Sequence, residues 1–320
     1  MLLVPLVASS SEKTFNKEKL KRASSWGYQL QDISVSEIRN QIFDLVVIEP
    51  VQYSEQANYF TKRQVSLMKN RKDPERNKLL IAYLSIGEAE DYRHYWKKEW
   101  NQHPPSWLGR ENPDWKGNYK VRYWNKEWQT IMLKELDEIL KAGFDGVYLD
   151  IIDAFEYWSE KQTYRKETQQ KNDPKGDVSL AADLMVHWIS KIANHSRLNS
   201  TRANSDFIVL PQNGEGLIQT ASKDNIHLYW NSIDGIGVED LFHPGDDPED
   251  NPRNLNRERI EILKQFKEKG KPLFVIDYLT NKRLIKSFCE QSRKFAFIPF
   301  VSNRELNSIP EEKVQFWCDQ

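Results

Sequence analysis

The chain has 320 residues, enough for one large domain or two small ones. Its 46 lysines and arginines nearly balance 47 aspartates and glutamates, a net charge of −1, so no bulk field draws it to nucleic acid or to a membrane surface. No run of about twenty apolar residues exists to span a bilayer, and two cysteines, Cys289 and Cys318, are too few for a disulfide framework and lie in no metal-ligand spacing. Whether they pair is left open by the sequence.

The chain opens with MLLVPLVASSS, an apolar run of about seven residues ending in small side chains, near the lower bound for the core of an export signal. It lacks a basic leader, so residues 1–24 are expected to be a terminal tail or a clipped export signal. Apolar strand-like segments then alternate with polar helix-like ones. Strands are predicted at 27–31, 44–49, 79–87, 146–152, 207–212, 235–239, 272–278 and 295–301. Helices are predicted at 35–43, 61–71, 126–142, 179–197, 254–270 and 281–293, and the segment 216–232 stays open. Eight strands in alternation with helices give an α/β fold, a single (β/α)8 TIM barrel over residues 25–307, followed by a tail at 308–320. The competing open sheet would bring a Gly-rich phosphate loop after its first strand, and GYQLQDISVS is not one. The longest insertion, after the third strand, runs from Glu88 to Trp124 and holds nine Tyr and Trp side chains. A loop of that length is functional or disordered, and so many rings argue against disorder.

Alternation within strands asks which acids point the same way. In the fourth strand Val147, Leu149 and Ile151 oppose Tyr148 and Asp150. In the second, Glu49 sides with Leu45 and Val47; in the sixth, Glu239 with Gly235 and Gly237; in the seventh, Asp277 with Leu273 and Val275. Gln31 in the first strand shares this parity. One geometry covers all five: apolar faces toward the helices, polar groups entering the mouth at the strands' C-terminal ends. Singly each acid reads better as a strand-end cap; four in phase do not. Glu88, Glu90, Asp91, Asp153, Glu215 and Asp240 would deepen a negative patch, leaving the helices to carry the balancing cations.

An acidic, aromatic-walled cleft suits a sugar polymer, and an amino sugar better still, since ammonium groups gain from carboxylates and ring faces together. Glycoside cleavage needs two carboxyls. The fourth and sixth strands stand two steps apart in a barrel, about 10 Å between backbones, a gap that inward side chains can close for retention or leave wider for inversion. Tyr92, Trp96, Trp107, Trp115 and Trp158 are the candidate sugar platforms, at least two of them expected to line the cleft, although core packing is the stronger reading for each alone.

The motifs WGYQLQ at 26, YLSIGEAEDYR at 83, GFDGVYLDIIDAFE at 143, LPQNGE at 210 and IDGIGVEDLF at 233 resemble glycoside hydrolase family 114, with VIDYL at 275 and FIPFVSNREL at 297. The resemblance spans roughly 25–307. It implies a (β/α)8 barrel that cleaves α-1,4-linked galactosamine-rich polysaccharide outside the cytoplasm or at the cell envelope, with no metal and no cofactor. By position it makes Asp150 the nucleophile and Glu239 the general acid/base, with retention. Gln31, Glu49, Tyr83, Glu88, Asp153, Asn213 and Asp277 would bind substrate or orient the pair, and Tyr92 joins them as a platform. The expected partner is a cationic polysaccharide. The alternatives are a non-catalytic barrel that binds a basic glycan and, more remotely, a carboxylate-metal hydrolase.

Overall fold

In the computed structural model, residues 15–52, 58–70, 77–200 and 206–309 are described. The strands in chain order are β1 (Trp26–Gln29), β2 (Leu45–Ile48), β3 (Leu79–Ser85), β4 (Glu88–Glu90), β5 (Leu108–Glu111), β6 (Asn118–Val121), β7 (Gly146–Asp150), β8 (Ile208–Pro211), β9 (Ile236–Glu239), β10 (Leu273–Tyr278) and β11 (Ile298–Ser302). Parallel β1, β2, β3, β7 and β8 form one ladder in that spatial order, and β9, β10 and β11 another. The ladders meet at both edges. Gln212 and Gly237 form a bridge between β8 and β9, and Asp234 N donates to Val209 O at 2.9 Å. At the other edge β11 lies beside β1, where the Trp26 indole donates to Ile298 O at 3.0 Å and Leu30 N to Leu306 O at 2.8 Å. With helices on the return paths, this is an α/β, TIM-barrel-like fold.

All eight predicted barrel strands are present, their ends shifted by at most three residues, and the open segment holds helices Leu217–Thr220 and Lys223–Ser232. The helix Lys126–Ala142 shows why such elements start and stop. Asn125 Oδ1 accepts from Glu127 N at 2.8 Å, Gly143 leaves in the left-handed region at φ 87°, and Trp128, Met132, Leu136 and Ile139 bury one stripe against the strands.

Neighbours in register across a parallel ladder point the same way, so register decides what faces the lumen. Tyr28 pairs with Val47, Tyr83 with Tyr148, Ser85 with Asp150, Gly237 with Phe274 and Glu239 with Ile276. Trp26, Tyr28, Tyr148, Phe274 and Phe300 plug the lumen, ring centroids 5.3–6.3 Å apart. They form the floor on which the strand-end carboxylates stand. Gly237 makes the plug possible: a Cβ there would lie 1.9 Å from Tyr148 Oη.

Four expectations need correction. Asn16–Arg22, assigned to the tail, is a helix whose Leu20 is buried and whose Asn16 Nδ2 donates to Asp145 Oδ1 at 3.1 Å. The insertion is no bare loop, because β4, β6 and β5 form an antiparallel sheet. Trp107 and Trp158 are fully buried, and Trp96 packs on Trp100 and Tyr119, so core packing takes these three platforms. Asp277 does not enter the lumen: the inward residues of β10 are Phe274, Ile276 and Tyr278, one out of phase with it. Residues 1–14 and 310–320, with Cys318, and position 71 of the predicted helix 61–71 lie outside the described residues.

Among the described residues Tyr148 Oη is buried with no hydrogen-bond partner. An unpaired buried hydroxyl costs roughly 1–3 kcal/mol, so Tyr148→Phe is expected to leave Tm unchanged or raise it by a degree or more. A fall of several degrees in calorimetry would show that the hydroxyl is paired in solution.

Candidate active site

Four polar residues stand at or just past strand ends on one rim of the ring, and each is followed at once by a residue in the left-handed region. Asp32 follows Gln31, Ile151 follows Asp150, Asn213 follows Gln212 and Asp240 follows Glu239, with φ between 51° and 58°. For a β-branched residue such as Ile151 this conformation is costly, and it persists where surroundings enforce it. Here Ile151 N donates back to Asp150 Oδ1 at 2.7 Å, and Ile151 O lies against Gly87, where a Cβ would stand 2.1 Å away. The chain therefore turns sharply beneath each of these side chains.

Asp150 and Glu239 line the same cavity of about 720 Å³, and each is held by one tyrosine and one nitrogen donor. Tyr83 Oη donates to Asp150 Oδ2 at 2.6 Å, its second oxygen taking Ile151 N. Tyr278 Oη donates to Glu239 Oε2 at 2.7 Å and Asn213 Nδ2 to Oε1 at 3.0 Å. Burial, then the neighbouring carboxylate, pushes both phenols well above their ordinary range, so they remain donors. Burial and then the Glu239 charge raise Asp150 to about 8, against the pull of Tyr83. The pair thus resists double ionisation, as two carboxylates sharing a site do. Beneath them Tyr28 Oη donates to Gln212 Oε1 at 3.3 Å.

The cavity lining carries seven acids and three bases. The excess is negative, but the balancing cations are not confined to the helices as the sequence suggested. Arg93 grips Glu49 with two bonds of 2.7 and 2.9 Å and also pairs with Glu90. Glu88 is fully buried and takes Asn112 Nδ2 at 2.9 Å together with Asn118 and Lys120. Glu49 and Glu88 thus lie at the cavity wall with their charges already countered. Gln31 is there too, placed by the turn after β1 and not by strand alternation, its Nε2 donating to Glu305 O at 3.0 Å. Tyr83, Tyr92 and Trp115 also line the cavity, the last two as exposed rings.

Asn213 touches Glu239 from behind. Asp153 stands at the solvent-exposed rim, yet it is crowded enough that burial and the Glu156 charge raise it to about 6. Asp277 is buried under the turn after β9, accepting Leu241 N at 3.0 Å, Phe242 N at 3.2 Å and His243 Nδ1 at 2.8 Å. It braces that turn from the far side of the strand, with no oxygen in the cavity. The sequence reading missed Tyr278, Arg93 and Arg259. Tyr278 sits one position past Asp277 on the unsuspected face, whereas the Glu90–Arg93 spacing was itself a signal for an ion pair in a turn.

Among the described residues no group of three or more His, Cys, Asp or Glu side chains is placed to hold a metal ion, and no helix is long and apolar enough to cross a membrane.

A sequence profile described as glycoside-hydrolase family GH114 matches residues 7–320. A protein of Methanocaldococcus jannaschii is 36% identical over 321 residues, covering 95% of this chain and 85% of its own. One of Thermotoga maritima is 31% identical, covering 88% and 81%. Among solved structures, the glycoside hydrolase domain of PelA from Pseudomonas aeruginosa aligns with a TM-score of 0.59 at 18% identity, covering 90% of this chain and 97% of its own. Ega3 of Aspergillus fumigatus, crystallised in complex with galactosamine, aligns at 0.60 and 15%, covering 95% and 98%. Both likenesses are of fold.

Proposed function

The chain belongs to glycoside-hydrolase family GH114 and is on that ground a glycosidase, and from this premise we propose an endo-acting enzyme that cleaves α-1,4-linked galactosamine-rich polysaccharide with retention. The observation that carries the proposal is the pair Asp150 and Glu239, two carboxylates in one cavity, each fixed by a tyrosine and together resisting double ionisation. Asp150 is the nucleophile and Glu239 the general acid/base. Glu239 gives its proton to the leaving oxygen as Asp150 bonds to the anomeric carbon, and it then takes a proton from the water that releases the sugar. In the empty cleft burial favours a proton on Asp150. Positive charge developing on the sugar ring beside it favours the ionised form, the one that attacks.

The excess of acids at the wall supports a cationic polymer, the galactosamine in the Ega3 crystal supports the sugar, and the open cavity supports internal cleavage. Such a substrate lies outside the cytoplasm, and we place the enzyme there or at the cell envelope. The test is digestion of partially deacetylated α-1,4-galactosamine polymer, with mass spectrometry of the oligomers and NMR of the first anomer formed. Internal fragments bearing α reducing ends are expected. Release from neutral polymers alone would remove the substrate, and β ends formed first would remove retention.

Trp115 is more than half exposed at the cavity wall (58%). A ring so placed stacks on a sugar some way from the cleavage point. Trp115→Ala is expected to raise KM for polymer about tenfold with kcat nearly unchanged. A fall in kcat at constant KM would assign the ring to the chemistry instead.

A further inference from the structure

The lining of the cavity does not explain how Glu239 is held at one of the two seams where the ring has no ladder. β8 and β9 share a single bridge in place of a ladder, and Glu239 stands at the end of β9 beside that seam. One side chain crosses it from outside. Arg259 belongs to the helix Arg257–Glu268, and its own amide is fixed by the Asn256 cap at 3.0 Å. Its guanidinium reaches both strand ends. On the β8 side Nη2 donates to Asn213 Oδ1 at 3.0 Å and Nε pairs with Glu215 Oε1. On the β9 side Nη1 donates to Glu239 O at 3.1 Å and Asp240 O at 3.5 Å.

We propose that Arg259 is a positioning residue that straps the β8–β9 seam and fixes both the backbone of Glu239 and the amide that holds its carboxylate. The second effect follows from donor and acceptor counts. Asn213 Oδ1 receives two donors, Arg259 Nη2 and Glu239 N at 3.1 Å. Neither can accept, so the oxygen must face them. The Nδ2 group is left facing Glu239 Oε1, to which it donates at 3.0 Å. Arg259 therefore acts on the carboxylate through Asn213. Lysine cannot replace it, because one ammonium cannot span four acceptors on two loops with the fork of a guanidinium. Asn213 and Asp240, both in the left-handed region, are the residues whose backbone would relax if the strap were cut.

The inference rests on the reading of Glu239 as a catalytic carboxylate, and its test has one readout that does not. In Arg259→Met, amide exchange at Asn213 and Glu239 is expected to quicken about tenfold or more, with β3 and β7 unchanged. On the galactosamine polymer, kcat is expected to fall roughly 10- to 100-fold with KM within about twofold, and Arg259→Lys should recover only a small part. Unchanged exchange at the two amides would overturn the strap. Quickened exchange throughout the barrel would overturn the positioning role in favour of general support. If Glu239→Gln turns over normally, the catalytic reading fails while the exchange result still decides what Arg259 holds.

Discussion

Asp150→Asn is expected to lose roughly 10³- to 10⁵-fold in kcat and at the same time to become more stable than the wild type. Loss of activity follows if the nucleophile is gone. The gain in stability follows from the proton balance. The Asp150 carboxyl is raised from its ordinary 3.8 to about 8 by burial and by Glu239, so the folded protein keeps a proton that the unfolded chain has already lost. Stability therefore falls as pH climbs from about 4 to about 8, the opposite of the usual paired carboxylate. Asparagine does not titrate and escapes that fall. The gap between variant and wild type should be near nil at pH 4 and reach on the order of 2–4 kcal/mol near pH 8, roughly 3–8 °C in Tm for a chain of this size. Calorimetry across the pH range checks this alongside kinetics. Full turnover would remove Asp150 from the chemistry, and a Tm gap independent of pH would remove the burial argument. Glu239→Gln should lose activity on the same scale, and the glycosyl azide formed with external azide would identify which carboxylate attacks: β in the variant that lacks the nucleophile, α in the variant that lacks the acid/base.

Gly237→Ala is expected to be the most damaging single methyl in the lumen. The new Cβ would stand 1.9 Å from Tyr148 Oη and 2.4 Å from two ring carbons. The ring cannot retreat, because Trp26 and Tyr28 pack against it. Overpacking of this kind costs about 3 kcal/mol, and the displacement lies two residues from Glu239, so kcat should fall about 100-fold. Tyr148→Leu in the same background should recover part of both losses, since neighbours in contact are not additive. A Tm within a degree of wild type would show that the plug is softer than its packing indicates.

The ring of strands was legible because apolar runs such as LLIAYLS and GVYLD have the length and bounds of buried strands. The lumen was only partly so. The rule that polar residues face inward holds for Glu49, Asp150 and Glu239, whose registers place them with Tyr28, Tyr83 and one another. It fails for Asp277, because a packed barrel interior is itself apolar and aromatic. In β10 the lumen takes Phe274, Ile276 and Tyr278, and strand pattern alone does not distinguish a residue facing a plug from one facing helices. For Trp107 and Trp158 core packing was the stronger reading of each taken singly and it holds, but composition only counts rings and could not say which of the five candidates would stay uncovered. The cations of the mouth come from turns and not from the helices expected to carry them: Arg93 follows β4, and Arg304, also in the cavity lining, follows β11.

That small antiparallel sheet has an evolutionary corollary. It carries its own strand pairing, and its Trp96, Trp100 and Tyr119 rings pack on one another while Trp107 seats them on Trp128 of the helix Lys126–Ala142, and it leans Tyr92 and Trp115 over the cavity. A lineage can recombine or reshape this cassette, changing which polymer is gripped, and leave the parallel ring and its acid pair untouched.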